Sequence, residues 1–428
     1  MKQNVYLQGN YAPVKKEIIE TGLKVTGNIP QDLSGLFLRN GPNPLSVPNE
    51  ETHHWFMGQG MIHGIRLDSG NALWYKNKAV DGNDSLANTS VISHAGKIYA
   101  IVEAGSYPVE IDQELNSLDT KPFYGNKNEG FTAHPKLDPR TGELHAMCYD
   151  YANKFNTIDY VVIDKNGLHK KTQTIPFESR SMLHECAITE NYVLVLDLSV
   201  TFSLERLGGG YFPFSWNDKH QARIGLLDRN DESKEVNWFE IDSTYFFHTF
   251  NAHEDQNGNI VLLATAYDRL FDKDWNGPLT ESPPNLTRWI LDIKSGKAQF
   301  TKLDERSIEF PRIHPDLVSK SNQFGYALAS SDTKQPDFKE IIKYDFINDT
   351  SEVYKYGEGN FGAEPVFVAA DGGVDEDEGY LLSLVYNLET DRSDLIILNA
   401  QELSLGPIAT VHLPQRVPFG FHGDWIKI

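Results

Sequence analysis

The sequence predicts an all-β fold, a seven-bladed β-propeller forming one domain over residues 1–428. The first reason is repetition. A β-rich run, a polar turn containing Gly or Asn, and another β-rich run recur along the chain. Hairpin signals at such fairly even spacing mark a sandwich, barrel or propeller. The second reason is the absence of long helical patterns: 111–117 and 399–404 offer single turns at most. The third is size. Closed all-β architectures run long as one unit, no low-complexity linker interrupts these 428 residues, and seven blades would take about 60 residues each.

In order, residues 1–34 are mostly polar, and Gly35-Leu36-Phe37-Leu38-Arg39-Asn40-Gly41-Pro42 reads as an apolar strand stopped by a Pro/Gly/Asn cluster. Residues 61–67 alternate like a strand, and Asp68-Ser69-Gly70-Asn71 turns the chain into 72–75. The same unit recurs at 98–103, 144–149, 192–198, 260–264 and 380–386. Turns such as Asp138-Pro139-Arg140-Thr141-Gly142 and Asp255-Gln256-Asn257-Gly258-Asn259 precede these runs. The closing Pro418-Phe419-Gly420-Phe421-His422-Gly423-Asp424-Trp425 is apolar and aromatic, and reads as a last strand that delivers His422 to the interior.

Composition narrows the function classes. Apolar residues are 40% of the chain, enough for a large core, and no run approaches the roughly 18 apolar residues of a membrane helix. The start, Met1-Lys2-Gln3-Asn4-Val5, has no apolar h-region, so no secretory signal is expected. Cys148 and Cys186 do not make a disulfide framework, and a reducing cytoplasm is the expected compartment. A formal charge of -21 argues against nucleic acid as a partner. It also opposes anionic lipid, so any membrane contact is expected to be hydrophobic and peripheral. Tyr211-Phe212-Pro213-Phe214-Ser215-Trp216 is the candidate loop for dipping into lipid; capping a blade is an equal alternative. The preceding Gly208-Gly209-Gly210 is neither a Rossmann nor a P-loop pattern. The sequence sets no oligomeric state.

Four histidines stand in apolar, strand-like contexts: His134, His184, His248 and His422, at gaps of 50, 64 and 174 residues. No local zinc motif uses such gaps, but the inner strands of a propeller converge on one axis from different blades. A single such histidine is more often a hydrogen-bonded core residue, about four times in five. Spacing alone does not establish convergence. His253 is five residues from His248, and residues an odd number apart on a strand face opposite sides, so only one can face the axis. His53, His54, His94, His145, His169, His220, His314 and His412 read as surface or loop residues, and His63 and His253 as structural hydrogen-bonders.

The motifs carry a resemblance. Gly35–Pro42, Phe56-Met57-Gly58 with Gly60-Met61-Ile62-His63-Gly64, Thr132-Ala133-His134-Pro135-Lys136, Phe247-His248 with Asn251-Ala252, and Phe421-His422-Gly423 occur in order over nearly the whole chain. In these the chain resembles the carotenoid cleavage oxygenases, non-haem iron enzymes that cut polyene or stilbene double bonds. The resemblance implies a seven-bladed propeller with iron(II) on its axis, held by His134, His184, His248 and His422. It selects His248 over His253. It also implies that Glu103, Glu309 and Glu364 hold three of these imidazoles. That role has its own physical reason, since a ligating imidazole bonds metal with one nitrogen and its other N–H wants a carboxylate. Read alone, Glu309 and Glu364 would be solvated surface carboxylates, whereas Glu103 ends the apolar run 98–102.

O2 and a lipophilic polyene are the implied partners, with two carbonyl products and no dinucleotide or oxoacid co-substrate. Thr89 resembles a threonine whose methyl narrows one open iron position, and Phe247 is a candidate cavity wall. Relatives that cleave stilbenes and phenylpropenes use a lysine just before the glutamate that corresponds to Glu103; here that residue is Val102. A buried phenolate would have no cation, so an apocarotenoid is the expected substrate and a stilbenoid or phenylpropene the alternative. Isomerisation or hydrolysis of retinoid esters at the same metal is a further enzyme reading. A propeller that only binds a lipophilic ligand is the non-enzyme reading.

Overall fold

The computed structural model describes residues 4–81, 86–104, 106–118, 123, 130–278, 281–330 and 337–428. Seven sheets surround one axis, and a two-stranded ribbon, Val200–Phe202 with Phe214–Trp216, stands apart from them. From the axis outward, blade 1 runs Gly423–Lys427, Gly35–Pro42, Gly60–Asp68, Asn71–Ala79 and Ile19–Thr21. Blade 2 has Ser90–His94, Lys97–Ile101 and Val109–Ile111, and blade 3 has Lys136–Leu137, Leu144–Tyr149, Thr157–Ile163 and His169–Pro176. Blades 4, 5 and 6 begin at the axis with Ala187–Ile188, Thr249–Glu254 and Ser307–Arg312. Blade 7 begins with Val366–Ala369 and ends with Val25–Gly27 paired to Pro407–His412. First strands of neighbouring blades pack on one another, as Gly423–Lys427 does on Ser90–His94.

The ring is closed by its termini. Gly423–Lys427 pairs antiparallel with Gly35–Pro42, Arg39 opposite Gly423 and Gly35 opposite Lys427. The turns that looked like hairpins in the sequence are hairpins, and several of them share one device. An aspartate at the end of one strand accepts backbone N–H groups two to four residues on, from Asn257 (2.8 Å) and Asn259 (2.9 Å) at Asp255 and from Asn166 (2.9 Å) and Leu168 (2.9 Å) at Asp164. Gly258 and Gly167 supply the left-handed corner with φ of 81° and 79°. Burial falls outward within a blade: Leu144–Tyr149 is wholly buried, whereas His169–Pro176 is mostly exposed or half-buried.

Helix is scarce. Among the described residues the α-helix is Leu204–Gly208, capped by the Ser203 hydroxyl, and it joins the two ribbon strands. Of the two single turns expected, 399–404 overlaps a 3-10 turn at Leu403–Leu405. In 111–117 the chain instead makes an Asp-capped turn, with the N–H groups of Glu114 and Asn116 each 2.8 Å from Asp112 Oδ1. The aromatic loop at 211–216 is not a lipid-facing finger. Phe212, Phe214 and Trp216 are buried, and Phe214–Trp216 is a ribbon strand. The helix turns the chain inward here, so exposed apolar surface falls on Leu204 (67%) and Leu207 (52%). Cys148 and Cys186 are both buried, and neither is in a disulfide. No helix of the described residues is long and apolar enough to cross a membrane.

Candidate metal centre

Each blade contributes one residue at or near the start of its innermost strand. Blades 1, 3, 4 and 5 bring His422, His134, His184 and His248; blades 2, 6 and 7 bring Thr89, Glu309 and Glu364. Histidines so far apart in the chain meet because all seven first strands start at the same end of the axis. One nitrogen from each imidazole lies within 4.8 Å of those from the other three. The ring of His134 is 4.4 Å from that of His422 and 4.5 Å from that of His184, centre to centre.

Three carboxylates hold three of the rings from behind. His184 Nδ1 is 3.1 Å from Glu103, His248 Nδ1 is 2.6 Å from Glu309, and His422 Nδ1 is 2.8 Å from Glu364. An ionised carboxylate only accepts, so each Nδ1 carries a proton, and in the neutral ring each Nε2 presents a lone pair. The Nε2 atoms of His184 and His248 face one another at 3.3 Å, a contact in which a proton or a metal ion lies between two lone pairs. His134 Nε2 is buried without a hydrogen-bond partner.

Charge points the same way. Around the neutral imidazoles stand the buried or half-buried carboxylates Glu103, Glu185, Glu309 and Glu364, against the cations Lys136 and Arg312. With Arg39 and Asp424, one charge of each sign beside Glu364 and Arg312, the set carries two negative charges, the complement of one divalent cation. Burial and its neighbouring imidazoles hold His134 well below the usual imidazole value, and burial holds His422 at about 3. His248 stays above its ordinary value despite burial, because the Glu309 carboxylate lies against it. Four neutral nitrogen donors suit a first-row transition metal far better than calcium or magnesium. The residues present therefore fit such an ion.

The supports of the carboxylates differ. Glu364 receives Arg312 Nη2 (2.9 Å) and the Gly423 N–H (2.8 Å); although burial opposes it, Arg312 and His422 hold the carboxyl below the usual carboxylate range. Glu309 receives the Tyr267 hydroxyl (3.0 Å) and the Phe310 N–H (2.8 Å). Phe310 has a left-handed φ of 55°, rare for a non-glycine residue, at a bulge between Glu309 and Arg312. Both carboxylates are buried, so the surface reading that sequence alone favours is corrected. Arg312 and Tyr267 were not singled out in the sequence; the signal for Arg312 was its place three residues after Glu309.

A cavity of about 550 Å³ opens over His184, His248 and His422, and His134 does not line it. Its walls are mainly aromatic and aliphatic, and include Phe247, Thr89, Val102 and Phe310. Phe247 stands edge-on to His184 at 5.1 Å and to Phe56 at 5.7 Å. The Thr89 hydroxyl donates to Asn88 Oδ1 at 2.9 Å, and the Thr89 carbonyl accepts the His422 N–H at 3.1 Å. Four histidines read as surface or loop residues are buried instead: His53, His54, His94 and His145. His54 lines the cavity, stacked on Phe212 at 4.4 Å, and His145 bonds the Tyr160 hydroxyl at 2.7 Å inside blade 3. Each lies beside a strand or motif whose other residues are apolar, and packing carried it inward. His63 is a structural hydrogen-bonder, as expected, at 2.8 Å from the Tyr75 hydroxyl.

The chain is similar to known proteins over nearly its whole length. A family profile described as retinal pigment epithelial membrane protein matches residues 11–86 and 79–427. A carotenoid cleavage oxygenase of Mycobacterium tuberculosis (strain CDC 1551 / Oshkosh) is 35% identical over 495 aligned positions, covering 99% of this chain and 97% of that one. A carotenoid 9,10(9',10')-cleavage dioxygenase of Crocus sativus is 31% identical, covering 99% and 89%. An isoeugenol monooxygenase of Pseudomonas putida is 30% identical, covering 98% and 97%. Among solved structures, cobalt-substituted Synechocystis ACO superposes with a TM-score of 0.86 at 24% identity, over 98% of both chains. That likeness concerns the fold, and the sequence relatives carry the rest. The chain belongs to the carotenoid cleavage oxygenase family and is an oxygen-incorporating cleavage enzyme.

Proposed function

We propose that the protein is an iron(II), O2-dependent dioxygenase that cleaves a carbon–carbon double bond of a carotenoid or apocarotenoid, giving two carbonyl products. The observation that carries this is the meeting of four imidazole lone pairs at the floor of a large apolar cavity. His134, His184, His248 and His422 are the ligands in this reading, and Glu103, Glu309 and Glu364 fix the tautomer of three of them. Bound iron(II) would supply the activation of O2 that an unaided alkene does not achieve.

The remaining work falls to the chain itself. Phe247, Phe56 and Phe310 make flat walls against which a conjugated chain stacks with water excluded. The Thr89 hydroxyl is committed to Asn88, so the polyene meets no free donor from it. The cavity volume lies within the range of about 300–1,000 Å³ usual for small-molecule sites. Val102 stands where a phenol-binding lysine would, and among the described residues no lysine or arginine lines the cavity. This disfavours a stilbenoid or phenylpropene, the second reading, which is kept because the isoeugenol monooxygenase is a relative. We take residues 1–428 as one domain acting in the cytoplasm. Met57, Leu86 and Leu207 line the cavity yet are exposed, so they mark its mouth as the place where a lipid-dissolved substrate enters.

Apocarotenals and a hydroxystilbene, each incubated with the protein under O2 and analysed by mass spectrometry, test this reading. Two shorter carbonyl products from the apocarotenal alone are expected. Aldehyde from the hydroxystilbene alone contradicts the substrate class. Binding without product under full iron loading contradicts the cleavage reading and favours a ligand-binding propeller.

A further inference from the structure

We propose that Glu185 is a positioning residue for the metal ligands, locking the blade of His134 against the blades of His184 and His248. This rests on the metal reading above and adds a residue to it. The starting point is an asymmetry. Three of the imidazoles have a carboxylate at Nδ1, and among the described residues none is bonded to His134. The position of that ring therefore depends on the backbone that carries it.

The backbone is tied down by one buried side chain. Lys136, two residues after His134, is ion-paired with Glu185, the residue after His184. The same carboxylate accepts the backbone N–H of Thr249 at 3.1 Å and its hydroxyl at 2.7 Å, and Thr249 follows His248. Glu185 Oε1 receives Lys136 and the Thr249 hydroxyl; Oε2 receives the Thr249 N–H. One carboxylate, 3% exposed, thus touches the neighbours of two other ligands and adjoins a third, across three consecutive blades.

The energetics argue for geometry over stability. A buried ion pair is weak evidence of stabilisation, because desolvation offsets its attraction, yet breaking one partner leaves an uncompensated charge. The pair is neutral as a unit, so it does little to the charge around the metal. What it adds is a fixed spacing among three strands. A metal site depends on that spacing far more than a packed core does, since ligands misplaced by a fraction of an ångström lose affinity.

The experiment compares the parent with Glu185→Gln, Thr249→Val and the double variant Lys136→Met/Glu185→Gln. Each is loaded with cobalt(II), whose visible spectrum reports ligand geometry, and metal release to a chelator is timed. Metal-free melting temperature is recorded beside it. Release about tenfold to a hundredfold faster in Glu185→Gln is expected, the range typical of groups that orient ligands. Its cobalt bands should shift; the charge left on Lys136 lowers its metal-free melting, and the double variant, which removes that charge, should recover melting toward the parent while its bands stay shifted. Thr249→Val should move both readouts in the same direction by less. With Lys136→Met measured as well, the double variant should lose less than the two charge deletions summed, because the groups act as a unit. Parent-like release and spectra in Glu185→Gln and Thr249→Val would overturn the proposal. Should Glu185→Gln not fold, Thr249→Val alone decides, because it keeps the backbone N–H to Glu185. A parent that binds neither cobalt nor iron would instead overturn the metal reading itself.

Discussion

Glu364 and Glu309 hold imidazoles in the same way but are themselves held differently. Glu364 leans on the Arg312 cation, Glu309 on the neutral Tyr267 hydroxyl and a backbone N–H. Glu103→Ala, Glu309→Ala and Glu364→Ala are each expected to cost about ten- to a hundredfold in iron affinity, read as iron left after dialysis against a graded chelator. Full retention in all three would remove the carboxylates from the site. Gly423→Ala tests the backbone beside His422, because a Cβ there would stand 2.5 Å from the Leu38 carbonyl oxygen. Displacement of the strand and loss of iron are expected; unchanged iron content contradicts this. At this scale the four histidines were legible because each sits in a short apolar motif. Glu309 and Glu364 were not legible from their own neighbours, since a carboxylate on a short strand looks solvated until its arginine or tyrosine is known.

At the level of elements, the excursion from Val200–Phe202 through Leu204–Gly208 to Phe214–Trp216 shapes the cavity mouth. Its helix was not legible, because a five-residue helix is too short to show a 3.6-residue period. Its aromatics at 211–216 read as a loop dipping into lipid or capping a blade, since a run of aromatics after three glycines does not show which residues it packs against. Arg206 fixes the excursion by donating to the carbonyls of Phe214 and Phe271 and stacking on Trp275. Leu204 and Leu207 remain outside. Leu204→Ser/Leu207→Ser is expected to reduce partition onto neutral liposomes while cleavage of detergent-dissolved substrate persists. Unchanged partition would place lipid contact elsewhere. The blade hairpins, by contrast, were readable because polar turns, many with an aspartate and a glycine as in 164–167 and 255–259, mark their corners.

For the molecule as a whole, ring closure by Gly423–Lys427 against Gly35–Pro42 makes the candidate metal site and the fold one structure. The even spacing of hairpins gave away the propeller; the convergence of residues up to 288 positions apart, His134 to His422, did not show in spacing and rested on resemblance. Away from the metal, burial holds His54, His63 and His145 at about 3. In the unfolded chain each titrates near 6.5. Below that pH the unfolded chain takes up protons that the folded protein refuses, so stability falls from pH 6.5 toward 3, by about 1.4 kcal/mol per unit for each histidine. Urea midpoints should be level between pH 8 and 7 and decline by pH 5; a midpoint unchanged at pH 5 contradicts this. The most direct measurement is the iron content of anaerobically purified protein beside His184→Ala. The expected result is near-stoichiometric iron in the parent and its loss in the variant, with an all-β circular dichroism signal in both. No iron in the parent after reconstitution, or full iron in His184→Ala, would contradict a metal centre built on these four histidines.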